Sequence, residues 1–351
     1  MNILFLFVSL PSLSVVNGLH TSLINEFKNH GHKVLVSSRG DCLNKTTLQN
    51  ENDIHVLRIK APKFTAVKNK IKKALSYQLY VFKQCYYIKK KFRNEKIDVV
   101  YSHSLPPELG LVIQRVKKIF KCSFFLEVSD FTWQDAVSFG YFRESSIICH
   151  YYKYWERKLF ELADFIGVPT QGNVSYIKRL YPNMDIEKFH IIPFWQTPYQ
   201  ITESDYCINN KLGLRDKFVV VYGGSIGVAQ HAERLVELAD SCKLITDIVF
   251  LVLGRGERLL SLKKYASDLK LNNIVFYDYL PQEQYLNLLS TCDVGLILLN
   301  EKMATPNFPS KALSYFNLKV PVLAALDYVT DFGVFLDNNK IGLWAHSDNI
   351  N

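Results

Sequence analysis

The chain has 351 residues, 48% of them hydrophobic and 21% charged, with a formal net charge of +9. That length allows two domains that each bury a core, and the composition excludes the disordered and fibrous classes. No apolar run approaches the length of about 20 residues that spans a bilayer, so a soluble or peripheral protein is expected. The seven cysteines (Cys42, Cys85, Cys122, Cys149, Cys207, Cys242 and Cys292) are scattered without CxxC spacing. That pattern speaks against a disulfide framework and against a zinc site, and it suits a reducing cytoplasm.

Met1 to Val16 is apolar enough to imitate a secretory signal, but it lacks a Lys/Arg-rich start and continues into periodic structure. A strand at Ile3–Val8 leads through a loop, Ser9–Gly18, to a helix with Leu19, Leu23, Ile24 and Phe27 on one face. Gly31 closes that helix before a strand at Lys33–Ser37, which makes a βαβ unit. Further strands are expected at Val99–Ser102, Ser123–Val128, Phe165–Pro169 and Phe189–Pro193, with a long helix over Tyr151–Ala163. The polar stretch Trp195–Asp216 breaks the alternation and marks a domain boundary, placed at 198/199. Strands resume at Phe218–Tyr222, Ile248–Gly254, Ile274–Asp278, Val294–Leu299 and Val320–Ala325. Near-continuous apolar runs such as Ile248–Leu253 are what a parallel strand covered on both faces needs. The expectation is α/β, with two doubly wound domains (1–198 and 199–351) facing across a cleft and ligands at the C-terminal ends of their strands. The chain ends soon after Leu343 without a final helix, so the second domain reads as incomplete at its end.

The charge is concentrated. Between Lys60 and Lys96 twelve basic residues face one acid, Glu95, which leaves the remainder of the chain slightly acidic. Tyr77, Tyr80, Phe82, Tyr86, Tyr87 and Phe92 are interleaved with these charges. A basic, aromatic helical stretch suits an anionic membrane surface. A solvated face over core aromatics is the plainer alternative, and no nucleic-acid-binding motif accompanies the charge.

Several loops at strand ends could carry chemistry. Gly18, before the first helix, lets backbone approach a phosphate, although the loop is not GxGxxG and an ordinary connection explains it equally well. Tyr222-Gly223-Gly224-Ser225-Ile226-Gly227 follows a strand directly, and Gly254-Arg255-Gly256 ends the next one. Pro309-Ser310-Lys311 opens a helix, where an anion would bind. Three such loops in one domain suit a nucleotide diphosphate. In the first domain His103, Glu127 and Asp130 follow strands and would face the same cleft. No DxD-like metal pair, P-loop or GxSxG is present, which weighs against metal-dependent transfer, nucleoside triphosphate hydrolysis and esterase chemistry.

The order of these motifs resembles the GT4-type glycosyltransferases of the GT-B fold, in particular those of bacterial capsule and O-antigen synthesis. The resemblance runs from Met1 to about Leu343. It rests on Asn17-Gly18-Leu19-His20, Gly31-His32-Lys33-Val34, Glu127 to Trp133, Ala163-Asp164 and Ile192-Pro193-Phe194-Trp195. In the second half it rests on Tyr222–Gly227, Gly254–Gly256, Cys292-Asp293-Val294, Pro309-Ser310-Lys311 and Val320-Pro321-Val322. What it implies is a sugar-nucleotide donor held mainly by the C-terminal domain, no cofactor and no essential metal. The family's E-x7-E pair would fall at Pro306 and Ser314, the Arg and Lys after the first C-domain strand are missing, and the asparagine of "IPN" is Phe194. The terminal helices that cross back onto the N-terminal domain are also absent from the sequence.

The resulting expectation is a transferase that moves a sugar from a nucleotide diphosphate donor, UDP first, to a hydroxyl of a lipid-linked or polysaccharide acceptor. Its place would be the cytoplasmic face of the membrane. Lys311 and Arg255 would contact the diphosphate, with Gly224, Ser225 and Ser310 as further donors and Ser314 a short substitute at the ribose. Asp130 or His103 would orient or deprotonate the acceptor, and the family's usual outcome is retention. The departures keep two rivals open: a sugar-nucleotide epimerase and a non-catalytic scaffold of a polysaccharide assembly complex.

Overall fold

The computed structural model describes residues 1–14, 18–40, 43–62, 64, 70–104, 109–199, 212–277 and 280–349, without the side chains of 70, 71, 73, 74 and 132. Val16, Asn17, Cys42, Cys207 and Asp278, named above, lie outside the described residues, as do Lys63 and Lys68 of the basic stretch. The chain divides into two compact units, Met1–Trp133 with Phe142–Thr197, and Gln134–Tyr141 with Pro198–Asn351.

In the first unit the elements are β1 (Asn2–Ser9), α1 (Leu19–Asn29), β2 (Lys33–Gly40), β3 (Thr47–Glu51), β4 (Ile54–Lys60), α2 (Lys70–Phe92) and β5 (Val99–His103). There follow α3 (Gly110–Phe120), β6 (Ser123–Glu127), α4 (Thr132–Ser138, which belongs to the second unit from Gln134 on), α5 (Ile147–Leu162), β7 (Phe165–Val168), α6 (Gln171–Leu180) and β8 (Phe189–Ile191). The strands form one sheet in the order β3-β4-β2-β1-β5-β6-β7-β8. All pairs are parallel except β3 with β4. Alternate residues of β1 divide between two cores. Leu4 and Leu6 pack with Tyr80, Val81 and Ile88 of α2, Val112 and Val116 of α3 and Leu159 of α5. Phe5 and Phe7 pack on the opposite face with Ile24 of α1. Burial on both faces is why β1 reads as an unbroken apolar run.

The β3–β4 hairpin departs from the expected pattern, in which no strands were assigned between β2 and β5. Its turn is two residues long with both φ values positive, Asn52 at 50° and Asp53 at 56°, the backbone that a tight hairpin favours. Arg58 forks onto both oxygens of Glu51 at 2.8 Å. The same guanidinium donates to the carbonyls of Leu10 and Pro11, and Leu13 N–H donates to Glu51. A buried but fully satisfied ion pair thus holds the loop after β1. The long helix α5 also starts earlier than expected, because Ser146 caps it by accepting from Cys149 N–H at 3.2 Å.

The second unit contains β9 (Phe218–Ser225), α7 (Arg234–Ser241), β10 (Ile248–Arg255), α8 (Leu259–Asp268), β11 (Ile274–Tyr277) and α9 (Gln282–Leu289). After these come β12 (Val294–Leu298), α10 (Ala312–Asn317), β13 (Val322–Leu326), α11 (Phe332–Asn339) and β14 (Gly342–His346). Its sheet runs β11-β10-β9-β12-β13-β14, every pair parallel. The last strand, β14, is an addition to the expected set. Val219 and Val221 of β9 face one core, and Val220 and Tyr222 face the other. Cys85, Cys122, Cys149, Cys242 and Cys292 are free thiols. Among the described residues no helix is long and apolar enough to cross a membrane.

Candidate functional site

In the second unit the ends of β9 and β10 converge. Gly224 pairs with Gly254 and Ser225 with Arg255, and Ile226 N–H then donates to Arg255 O at 2.9 Å. A Cβ on Gly254 would lie 2.0 Å from Gly224 O, and one on Gly256 would lie 1.9 Å from Ile226 O. Backbone approaches backbone so closely that only glycine fits at either position. Gly224 also has φ +134°, so the two glycine motifs of the sequence form one continuous loop surface.

Lys311, the residue before α10, points its ammonium into this place. Nζ lies 4.0 Å from the centre of the Tyr222 ring, and 3.3 Å from where a Cβ on Gly224 would be. The nitrogen is enclosed and makes no hydrogen bond, although part of the stem is exposed. Burial pushes the ammonium down to about 7. The π face of Tyr222 works against that shift, because it favours the charged form. Behind the loop Gly223 N–H donates to the Tyr315 hydroxyl at 3.3 Å, and Tyr285 packs so tightly on Gly223 that a Cβ there would overlap its ring. Beyond Gly227 the chain is tied to the end of β12. Asn300 donates to the carbonyl oxygens of Val228 and Ala229, and His231 Nδ1 lies 2.7 Å from Glu301 Oε2.

The structure therefore brings Gly224, Ser225, Arg255 and Lys311 together. Ser310, exposed, and Ser314, half-buried, lie immediately either side of the start of α10. Arg255 keeps its side chain at the surface. Gly18 is engaged otherwise: its N–H donates to Thr21 Oγ1 at 2.7 Å, with an ordinary φ of −111°, so this amide serves the start of α1.

The first unit holds a polar cluster at the ends of β5 and β6. Glu127 Oε2 accepts from His20 Nε2 at 2.7 Å and from the Tyr101 hydroxyl at 2.6 Å, and its Oε1 accepts from Ser129 Oγ at 3.2 Å. Ser129 Oγ lies 2.7 Å from His103 Nε2. Because that hydroxyl gives its proton to Glu127, His103 Nε2 is the donor to it, and the neutral ring carries its lone pair on Nδ1. Burial would raise the Glu127 carboxyl, but the His20 hydrogen bond, the His103 and His20 charges and the Tyr101 hydrogen bond bring it down to about 2. Burial lowers His103, against the opposing pull of Glu127 and Asp130, so the ring is biased toward its neutral, proton-accepting form. Asp130 lies beside this cluster but reaches solvent; crowding raises its carboxyl, with His103 opposing and Glu127 assisting. His20 stacks edgewise on His103 at 5.6 Å and on Trp195 at 6.3 Å, and Trp195 Nε1 donates to Leu19 O at 2.7 Å.

Sequence reasoning did not single out His20, Tyr101 and Ser129 for a role in the site, nor Tyr222 as the seat of Lys311. His20 lay within a quoted motif, and its signal was its place one residue into the first helix, at the C-terminal edge of the sheet.

Residues 208–351 match the family described as "Glycosyl transferases group 1". Among curated relatives, a protein described as a colanic acid biosynthesis glycosyl transferase (WcaI) of Escherichia coli (strain K12) is 26% identical over 178 residues, 48% of this chain and 44% of that protein. A protein described as a glycosyltransferase (WbjE) of Pseudomonas aeruginosa is 23% identical over 271 residues, 76% of this chain and 66% of that protein. The chain thus spans less than half of the first relative and about two thirds of the second. Many solved structures share the fold, the following two among them. The glycosyltransferase WaaG, involved in lipopolysaccharide biosynthesis, superposes with TM-score 0.70 at 16% identity, over 99% of this chain and 88% of that one. Anabaena HepE in complex with UDP gives 0.65 at 14% identity, over 99% and 86%. The chain has the α/β fold of these GT-B structures, and its residues 208–351 are similar to the family described as glycosyl transferases group 1.

Proposed function

We propose that the chain transfers a glycosyl group from a nucleotide diphosphate sugar, UDP first, to a hydroxyl of a lipid-linked or polysaccharide acceptor in cell-surface polysaccharide synthesis. The observation that carries the reading is the Lys311 ammonium, enclosed against the Gly224 loop with no hydrogen-bond partner. A buried cation without a counter-charge is costly, and an anion delivered to that loop would relieve the cost. The names of the curated relatives and the UDP bound by HepE agree with it.

In the reaction the bond from the anomeric carbon to the diphosphate oxygen breaks, and a bond to the acceptor oxygen forms. Charge builds on the departing diphosphate. Lys311, the N–H groups around Gly224 and Ser225, and Ser310 meet that charge, with Arg255 adding long-range attraction. Ser314 has room for a hydrogen bond to the ribose. The acceptor's proton goes to the imidazole of His103, which is oriented through Ser129 and Glu127, with Asp130 positioning the hydroxyl. The acceptor oxygen attacks from the face that the diphosphate leaves, so the proposed reaction retains the anomeric configuration; it uses no metal and no cofactor and takes place at the cytoplasmic face of the membrane.

A scaffold that binds without catalysing is the second reading, favoured by Pro306 and Ser314 where the resembled family carries glutamates. Thermal unfolding with UDP, GDP, CDP, dTDP and their sugars tests both. A ligand that binds only the folded state at 100 times its Kd adds about 2.7 kcal/mol. A shift with one nucleotide, followed by turnover with an acceptor, supports the transferase; a shift without turnover on any acceptor supports the scaffold; no shift at all overturns the donor site.

A further inference from the structure

Helix α2 has two apolar faces. One is buried: Tyr80, Val81, Cys85, Ile88 and Phe92 belong to the core of the first unit. The other points away from the protein. Leu75 is 64% exposed, Leu79 55%, Phe82 51% and Tyr86 58%. Their spacing of four, three and four residues places them within about 60° of one another on a helix of 3.6 residues per turn. A surface helix ordinarily turns polar residues to water, so a continuous exposed Leu-Leu-Phe-Tyr ridge marks an interaction surface.

The ridge is framed by cations. Lys90 stands over the Tyr86 ring at 5.6 Å, and Arg115 of α3 over the Phe82 ring at 5.5 Å. Lys89, Lys90 and Lys91 are exposed, and none has a carboxylate partner among the described residues. The ridge continues onto α5, where Gln78 Nε2 donates to the Tyr151 hydroxyl at 2.8 Å. There Ile147 and Tyr154 are 89% and 60% exposed.

We infer that this α2–α5 face docks on a bilayer surface rich in anionic lipid, the ridge entering the acyl boundary while the lysines meet the headgroups. The combination of an aliphatic and aromatic ridge with unpaired flanking lysines matches that partner on both counts. Nucleic acid would use the cations and could stack on the rings, but it offers nothing to Leu75 and Leu79. A symmetric second copy would bring two strongly basic surfaces against each other. The surface lies wholly in the first unit, so it stands apart from the donor chemistry proposed above.

The experiment is co-sedimentation of the full chain with phosphatidylcholine vesicles, with and without phosphatidylglycerol. The comparison variants are Leu79→Ser/Phe82→Ser and Lys89→Gln/Lys90→Gln. All four positions are exposed, and circular dichroism together with the nucleotide-induced thermal shift reports that the fold is intact. The expected results are at least tenfold stronger binding to the anionic vesicles, a loss of about tenfold or more in each double variant, and weakening by salt. Equal binding to both vesicles, or none, overturns the inference. So does binding that the Leu79→Ser/Phe82→Ser variant retains, or a solution dimer abolished by that variant in a chain that ignores vesicles. A chain that docks on vesicles yet shows no nucleotide shift keeps this inference and loses the donor site.

Discussion

The two units keep their polar chemistry in opposite states. Around Glu127 every oxygen is occupied: His20 and Tyr101 share Oε2, and Ser129 takes Oε1. Around Lys311 the charged atom has a ring face and no hydrogen-bond acceptor. A saturated network fixes geometry, because each partner is held by another and the loss of any member strands the rest. An unsatisfied enclosed cation fixes nothing; it stores a cost that a ligand can remove. The first arrangement suits orienting a proton acceptor, and the second suits receiving an anion.

The largest effect expected is at the backbone crossing under the Lys311 site. Gly256→Ala places a carbon 1.9 Å from Ile226 O, so the loop must move. Chemical denaturation should show a loss of about 2 kcal/mol or more, with donor binding lost alongside. An unchanged midpoint would mean that the loop is softer than its contacts imply.

Glu127→Gln next tests the saturated network, since it keeps the shape and removes the charge. Stability near neutral pH should fall by about 2 kcal/mol, as partners arranged for a carboxylate meet an amide. Glu127 is depressed to about 2, so its contribution is present above the ordinary carboxylate range near pH 4.5 and is lost as pH falls toward 2. The variant should therefore be less sensitive to acid over that window. Its activity profile should also move, because the Glu127 charge holds His103 up; without it the acidic limb shifts to lower pH.

The pH dependence of donor affinity sharpens the other side. Lys311 sits near 7 in the free protein, and a bound diphosphate favours its charged form. Donor binding then takes up a proton, and affinity should fall by up to about tenfold per unit as pH rises above 7. The ligand-free protein should do the reverse. Its folded Lys311 binds fewer protons than the unfolded one between about 7 and 10.5, so stability rises with pH across that window. Isothermal calorimetry in buffers of different ionisation enthalpy reads the proton directly. The smallest effect is at Arg255→Ala: an exposed charge should cost donor affinity about threefold, shrinking in high salt.

Much of this was legible in the sequence. The apolar runs of β1, β9 and β10 announce parallel sheets, and the glycine loops and Pro309-Ser310-Lys311 stand at strand and helix ends, where the structure brings Gly224, Gly254 and Lys311 close to one another. The β3–β4 hairpin was less visible, because its strands alternate weakly and its turn uses Asn52-Asp53 without the usual glycine. The cluster around Glu127 was hidden for another reason: His20 and Ser129 are ordinary in one dimension, and become partners only when α1 and the end of β6 are brought to the same carboxylate. The burial of Lys311 depends on a tyrosine 89 positions earlier. The second face of α2 was masked by its own composition, since aromatic residues among lysines read equally as core or as surface.

The measurement that tests the central claim most directly is UDP binding by calorimetry to the native chain and to Lys311→Met, with thermal unfolding of both in the absence of ligand. If the ammonium waits for a diphosphate, the variant should be as stable as the native protein or more so, because a buried unpaired charge is gone. Its affinity should nevertheless fall by about 10- to 100-fold, the worth of one charge-assisted contact. Unchanged affinity would contradict the account, and so would a variant that loses stability while still binding UDP, since Lys311 would then be part of the scaffold and not of the site.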